Sequence, residues 1–356
     1  MIRLLSLAED TLYAQLAEQV QNQQFSDDFP ENGTFVKRRV QSREGAREYY
    51  YYQGYRPGEA GEKNKRSSTY VGPADDLAIQ KRVQNFRDIK ASRRESASLV
   101  NALIGAGLPR PPIIMGRIIE ALAKAGVFRL RAVLVGTAAF QTYPAVLRCR
   151  ISHAGAMTGD IDIAQFPSIS IAVEDRTPPI KDVLAAVDPT FAPIPHVHDP
   201  ATSTAFANKT GFRLDILAAH RGSDDQLGRP VSMPALAGAA GEPLRFLDFL
   251  IWDPVRSVVL HGPGIAVRVP DPARFAVHKL IISTRRFKDM PGSAKARKDV
   301  LQAGEIIEAM DANGSIDHFK VILDEARERG PAWRTALDQA IPKLKDDARA
   351  VISSLL

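Results

Sequence analysis

The chain has one cysteine in 356 residues, Cys149, so an intramolecular disulfide is impossible and a reducing cytoplasm is the expected compartment. No apolar run approaches the roughly 20 residues that cross a bilayer. The partly apolar start at residues 1–7 meets Glu9 and Asp10 without a small-residue cleavage site, which argues against secretion and against a membrane partner. Two common nucleotide fingerprints are also missing where a strand meets a helix: Gly-x-x-x-x-Gly-Lys-Ser/Thr and Gly-x-Gly-x-x-Gly. Their absence sets aside the usual kinase, GTPase and dehydrogenase readings. What remains is 45% hydrophobic and 25% charged, the composition of an ordinary globular protein of two or three domains.

Residues 131–163 hold the most informative pattern. An apolar run, 131–135, is stopped by Gly136 and Thr137, which predicts a buried strand, a turn and then a helix over 138–147. Glycine at such a turn lets backbone N–H groups approach a phosphate. A strand over 160–166 follows, on which Asp160 and Asp162 share one face while Ile161 and Ile163 take the other. Adjacent carboxylates repel unless a cation sits between them, and the pair suits hard, oxygen-seeking Mg²⁺. A third carboxylate, Asp215, interrupts the apolar strand expected over 211–219. A buried aspartate there needs a partner, this same metal site or an ion pair with Arg213 or Arg150, unless it takes a solvent-facing position on a half-buried strand.

Gly136-Thr137 before a helix, Asp160-x-Asp162 on a strand and lone Asp215 on a later strand together resemble the DNA polymerase β-like nucleotidyltransferase superfamily, in particular its bacterial branch of unassigned substrate. A second block, Pro270-Asp271-Pro272 through His278-Lys279-Leu280, then Arg285-Arg286 and Lys298-Asp299, is similar to the helix that follows the catalytic domain in that branch. The resemblance implies an α+β fold: a polymerase β-like nucleotidyltransferase mixed sheet with helices, an N-terminal α/β appended domain and a C-terminal helical bundle. It divides the chain into 1–130 (appended), 131–270 (catalytic) and 271–356 (helical). It implies transfer of a nucleoside monophosphate from an NTP, with Asp160, Asp162 and Asp215 on a two-metal Mg²⁺ site and Gly136, Thr137 and Lys279 on the phosphates. Position 137 departs from the pattern, holding Thr where Ser or Gly is more common. From the residues alone, His278 and Lys279 read equally well as a core-edge histidine and a solvated lysine.

Charge is uneven. Residues 37–66 hold nine Lys or Arg against four Glu, and 271–300 hold eight against three Asp. Six of the eight tyrosines (Tyr49 to Tyr52, Tyr55 and Tyr70) fall in or beside the first patch. Basic and aromatic residues together fit RNA as a partner, and a solvated hairpin whose tyrosines alternate between core and surface fits as well. The same chain therefore reads as an enzyme with an RNA acceptor, as a non-catalytic nucleotide- or RNA-binding protein, or as a toxin–antitoxin component. The histidine pair His196 and His198 lacks the further ligands of a zinc site.

Other elements follow from periodicity and turn residues. Helices are expected at 7–20, 73–106, 113–125, 179–187, 273–286, 294–310, 316–329 and 333–353. Strands are expected at 35–40, 48–53, 69–71, 169–173 and 191–197, with a hairpin over 257–269 and loops over 21–33 and 56–68.

Overall fold

Phe35, Tyr50 and Tyr52 turn to one face while Val36, Tyr49 and Tyr51 turn to the other, and this period of two is what builds the first sheet. The computed structural model describes residues 2–23, 33–42, 45–56, 65–152, 159–168, 177–220, 228–237, 239–289 and 294–355. In chain order β1 (Arg3–Leu4) and α1 (Leu7–Gln23) precede an antiparallel sheet of β2 (Thr34–Ser42), β3 (Gly45–Arg56) and β4 (Lys65–Pro73). The strand β4 takes in residues 65–68, where a loop is expected; the rest of that loop, 57–64, lies outside the described residues, as do most of the loop 21–33 and the strand expected at 169–173. One long helix, α2 (Leu77–Gly105), then serves two cores. Its first half packs Val83 and Phe86 under Phe35, Tyr50 and Tyr52. Its second half packs Leu99, Val100 and Leu103 against Leu16 and Val20 of α1.

The remaining helix of this part, α3 (Ile113–Lys124), buries Met115, Ile118, Ile119 and Leu122 in the main core. There follow β5 (Val133–Val135), α4 (Gly136–Phe140), α5 (Tyr143–Val146), β6 (Cys149–Arg150), β7 (Asp160–Gln165) and α6 (Ile180–Ala185). The single helix expected over 138–147 is two short ones. Pro144 in the first turn of α5 has no N–H to continue the ladder, and the Thr142 hydroxyl donates to the Ala139 carbonyl at 2.8 Å at the break. Strand β5 starts two residues later than expected because Arg131 has φ 66°, outside any strand conformation.

Next come β8 (Ala192–Ile194), β9 (Ala205–Ala207), β10 (Arg213–Ala219), β11 (Val231–Ser232), β12 (Ala240–Leu244), α7 (Leu247–Leu250), β13 (Val255–Val259) and β14 (Ile265–Val269). The central sheet runs β11-β12-β10-β7-β5, with β9 pairing the first half of β10 and β8 pairing β9. It is mixed: β7 and β12 run parallel to β10, while β5 runs antiparallel to β7. Strand β5 thus ends at the edge where β7 and β10 begin.

The chain closes with α8 (Pro272–Asp289), α9 (Ala294–Ala312), α10 (Ile316–Glu328), α11 (Pro331–Ala340) and α12 (Asp346–Leu355). The last two replace one expected helix, because Ile341–Lys343 tightens into a 3-10 turn around Pro342. Helix α8 is central, packing against α7, α9, α10 and α11. Asp271 starts it by accepting from the N–H groups of Ala273 (2.9 Å) and Arg274 (3.2 Å). Its Phe275 stacks on Phe140 (5.8 Å between centroids) and meets Tyr143 edge-on (5.0 Å), and the Tyr143 hydroxyl donates to the Pro270 carbonyl at 3.0 Å. This aromatic trio fixes α8 beside α4. Cys149 is a buried small residue whose thiol burial pushes up to about 11, and it has no sign of reactivity. Among the described residues no helix is long and apolar enough to cross a membrane.

Candidate active site

Three strand ends build the site. Val135, Asp162 and Asp215 lie side by side across β5, β7 and β10, and Asp160 is paired with Arg213 one step nearer the sheet edge. In-register neighbours share a face, so Asp160, Asp162, Arg213 and Asp215 point the same way. On the opposite face Ile161, Ile163, Leu214 and Ile216 are buried in the core. The sequence places carboxylates on these strands, and the core behind them holds the backbone still.

Gly136 completes this edge. It has φ 66°, and a Cβ there would stand 2.3 Å from Oδ2 of Asp162. Glycine is thus required twice, by the left-handed backbone and by the carboxylate pressed against it. Burial pushes Asp162 up to about 6, helped by the negative charges of Asp160 and Asp215 and opposed by Lys279 and Arg286.

A cavity of about 280 Å³ opens here, lined by Gly136, Thr137, Asp160, Asp162 and Asp215 from the sheet side and by residues of α8 and α9 from the other. The structure therefore brings all six expected residues, Asp160, Asp162, Asp215, Gly136, Thr137 and Lys279, to one cavity. Lys279 is not the exposed stem expected of a solvated lysine: it is 8% exposed, and its ammonium donates to Oδ1 of Asp299 at 2.6 Å. Arg286 pairs with the other oxygen of Asp299 at 2.6 Å, so two cations share one buried carboxylate and the trio keeps one net positive charge. His278, also 8% exposed, is held down at about 3 by burial and by the nearby Lys279 and Arg286, so its ring is neutral at physiological pH.

One functional group is missed by sequence reasoning. The Lys298 ammonium donates to the Thr137 hydroxyl at 3.0 Å, so a cation from α9 stands directly at the Gly136-Thr137 turn. Burial, then the charge of Lys279, holds Lys298 below the usual lysine range. The only signal in the sequence is its place in Lys298-Asp299, because the approach to Thr137 spans 161 residues.

Lys279→Ala is expected to destabilise the fold by on the order of 3 kcal/mol, since it strips a buried carboxylate of one of its two cations. Chemical denaturation reads this directly. A loss below about 0.5 kcal/mol would return Lys279 to the solvated class.

The donor set fits a hard divalent cation: three carboxylates face one cavity and the central one is short of compensating charge. They are not gathered into a closed cage, and among the described residues no group of three or more His, Cys, Asp or Glu is close enough to enclose a metal. Asp215 is held instead by Arg213, whose guanidinium donates to both of its oxygens (2.7 and 2.9 Å from Nε). The ion pair that the sequence offers for Asp215 is thus formed, and within the same site. Asp160 and Asp162 line the cavity side by side on β7, while Asp215 is held by Arg213.

Elsewhere, His196 pairs with Glu242 at 2.9 Å rather than joining a metal cluster. The tyrosine hairpin alternates as the solvated-hairpin reading has it: Tyr50 and Tyr52 are buried, while Tyr49 and Tyr51 lie on the other face, Tyr51 half-buried. Lys37, Arg38 and Arg39 lie on the same hairpin, with Arg38 over the Tyr51 ring at 5.1 Å.

No curated protein and no solved structure gives a match to the chain. A family model described as nucleotidyltransferase matches residues 114–326, more than half of the 356 residues, from α3 to α10. That span takes in both strands of aspartates, the Gly136 turn and the helices carrying Lys279 and Lys298. The chain belongs to the nucleotidyltransferase family.

Proposed function

We propose that the protein transfers a nucleoside monophosphate from an NTP to an acceptor hydroxyl, the acceptor being RNA, with pyrophosphate leaving. The observation that carries this reading is Asp162, a carboxylate pushed up to about 6 between two others and pressed against the Gly136 turn. Asp160 and Asp162 would hold Mg²⁺, and Asp215 would complete a second position. Bound there, Mg²⁺ would neutralise the triphosphate and lower the pKa of the attacking hydroxyl.

The chain's own residues supply the rest. Gly136 has no side chain to keep phosphate oxygens from the backbone, and Thr137 and Lys298 present a hydroxyl and an ammonium beside it. Lys279 and Arg286 add the net charge left over from Asp299 and hold α9 against α8. His278, neutral and buried, adds no charge that would compete with Mg²⁺. The acceptor hydroxyl attacks the α-phosphorus as the bond to the β-phosphate oxygen breaks, and its proton passes to solvent. In the proposed division, 131–270 and 271–356 carry the chemistry while 1–130, with its basic hairpin, meets the acceptor.

Lys298→Ala should raise KM for NTP by roughly tenfold or more, because a charge-assisted phosphate hydrogen bond contributes about 1.5–3 kcal/mol. Its present partner is a neutral hydroxyl, so Tm should hardly move. Steady-state kinetics with unchanged KM would remove Lys298 from the phosphate site.

A second reading, nucleotide or RNA binding without catalysis, is favoured by one observation, the capture of Asp215 by Arg213. Pyrophosphate release separates the two. It is measured for each NTP with Mg²⁺ and, in turn, total RNA, protein and small-molecule fractions. Release that depends on the RNA fraction supports the proposal. Dependence on another fraction changes the acceptor, and no release with any of them leaves the binding reading.

A further inference from the structure

A second cavity, larger than the one at the aspartates, lies away from them. A cleft of about 580 Å³ lies between the second half of α2, the Arg110–Ile113 segment and the turn joining β13 to β14. Its rim carries Arg93, Arg94 and Arg110 with Asn101, and its floor is apolar. Among the described residues lining it there is no Asp or Glu. Several arginines among the described residues are paired with carboxylates, as Arg148 is with Asp10, Arg274 with Glu325 and Arg329 with Asp248. Arg94 and Arg110 are exposed and, among the described residues, have no carboxylate partner.

The cleft is a built feature. His261 lines it, with its ring against the backbone of α3 at Gly116, where a Cβ would stand 2.2 Å from Nδ1. A glycine within a helix is unfavourable against alanine, and here the missing side chain is what seats the ring. Ile113, at the lip, is 70% exposed. A rim of cations over an apolar floor suits a ligand that offers phosphates on one side and flat apolar faces on the other.

Two placements favour a strand of nucleic acid over a free nucleotide. Helix α2 runs from Phe86, under the sheet face where Lys37 stands over the Tyr50 ring, to the cleft at Arg93, roughly 10 Å along its axis at 1.5 Å per residue. A phosphate chain lying along α2 therefore meets both. Behind the cleft wall, Pro111 and Leu260 face Gln141 and Thr142 just beyond the end of α4, and the start of α4 is the Gly136-Thr137 turn. The cleft thus backs onto the helix that opens the active site. Arg93, Arg94 and Arg110 also fall outside residues 114–326, the span that the family model matches.

We propose that this cleft docks the phosphate backbone of single-stranded RNA, Arg94 and Arg110 meeting phosphates while bases rest on the apolar floor beside Ile113. The inference rests on the RNA-acceptor reading above and gives that acceptor a place.

The test uses the full chain, a fluorescein-labelled 12-nucleotide single-stranded RNA and the Arg94→Ala/Arg110→Ala double variant. Both arginines are exposed, so folding is expected to be unaffected, with Tm as the control. Anisotropy titrations over a range of salt should show binding weakened about tenfold or more. The slope of log K against log salt should fall by about 1.4, or 0.7 for each phosphate of the single strand that is no longer neutralised. Arg94→Lys/Arg110→Lys should keep most of that slope. Equal affinity and slope for wild type and the Ala variant overturn the proposal, as does no RNA binding by either. Loss of mononucleotide binding with RNA binding intact overturns it in favour of a free-nucleotide site. NTP-dependent pyrophosphate release is followed in parallel. Weakened RNA binding with no release by wild type keeps the cleft and sinks the transferase reading, whereas release with an unchanged RNA titration does the reverse.

Discussion

Asp162→Asn is expected to stabilise the protein while removing its activity. The folded-state value of Asp162 is raised from 3.8 to about 6, so the folded chain binds the proton more tightly than the unfolded one. A group shifted in this direction costs nothing below about pH 4, and its cost grows as pH rises through 6. At pH 7 and above the full cost is about 3 kcal/mol, an order-of-magnitude figure. Asparagine keeps the volume and removes the charge, so Tm at pH 7.5 should rise by a few degrees and the variant should lose the fall in stability between pH 4 and 7. Nucleotidyl transfer should drop by about 10²–10³-fold or more, the scale of losing a group that stabilises transition-state charge. For the wild type, Mg²⁺ competes with the proton on Asp162, so kcat/KM should decline below about pH 6. Thermal melts at several pH values and a pH–rate profile read both effects. A less stable, fully active Asp162→Asn protein would contradict the site.

Gly136→Ala is expected to be nearly as damaging to activity by a different route. An L-residue at φ 66° costs about 1–2 kcal/mol, and its Cβ would lie 2.3 Å from Oδ2 of Asp162, closer than any van der Waals approach. The side chain of Asp162 is the part that can yield, so the substitution should swing the carboxylate off its position rather than unfold β5. Activity should fall by about two orders of magnitude, in keeping with the cost of misplacing a catalytic group by about 1 Å. Tm should fall by only a few degrees. If Gly136→Ala leaves transfer intact, the carboxylate does not need its position against the turn.

How far the sequence discloses this molecule depends on the range of the interaction. Asp160, Asp162 and Asp215 stand out because each breaks an apolar run, and strand alternation alone gives them a common face. The Gly136 turn is legible for the same local reason. What lies beyond reach is the pairing across the cavity. Nothing near Lys279 in sequence announces that its ammonium ends on Asp299, and nothing near Thr137 announces Lys298. Arg213, two residues from Asp215, is legible as a partner, but not that it would hold Asp215 inside the carboxylate site. Element ends fail where one residue overrides periodicity: Pro144 splits a helix, Pro342 splits another, and Arg131 delays β5. The short strand β9 escapes notice because three residues are too few to show a period.

Whether the carboxylates at the edge of this sheet move an NMP is tested most directly by following two labels, with NTP labelled at the α-phosphate in one tube and at the γ-phosphate in the other, each with Mg²⁺ and cellular RNA. The wild type is expected to join the α-label to RNA and release the γ-label as pyrophosphate, and Asp162→Asn is expected to do neither. Label from the γ-phosphate on the acceptor, or α-label transferred as well by Asp162→Asn as by the wild type, would contradict the assignment.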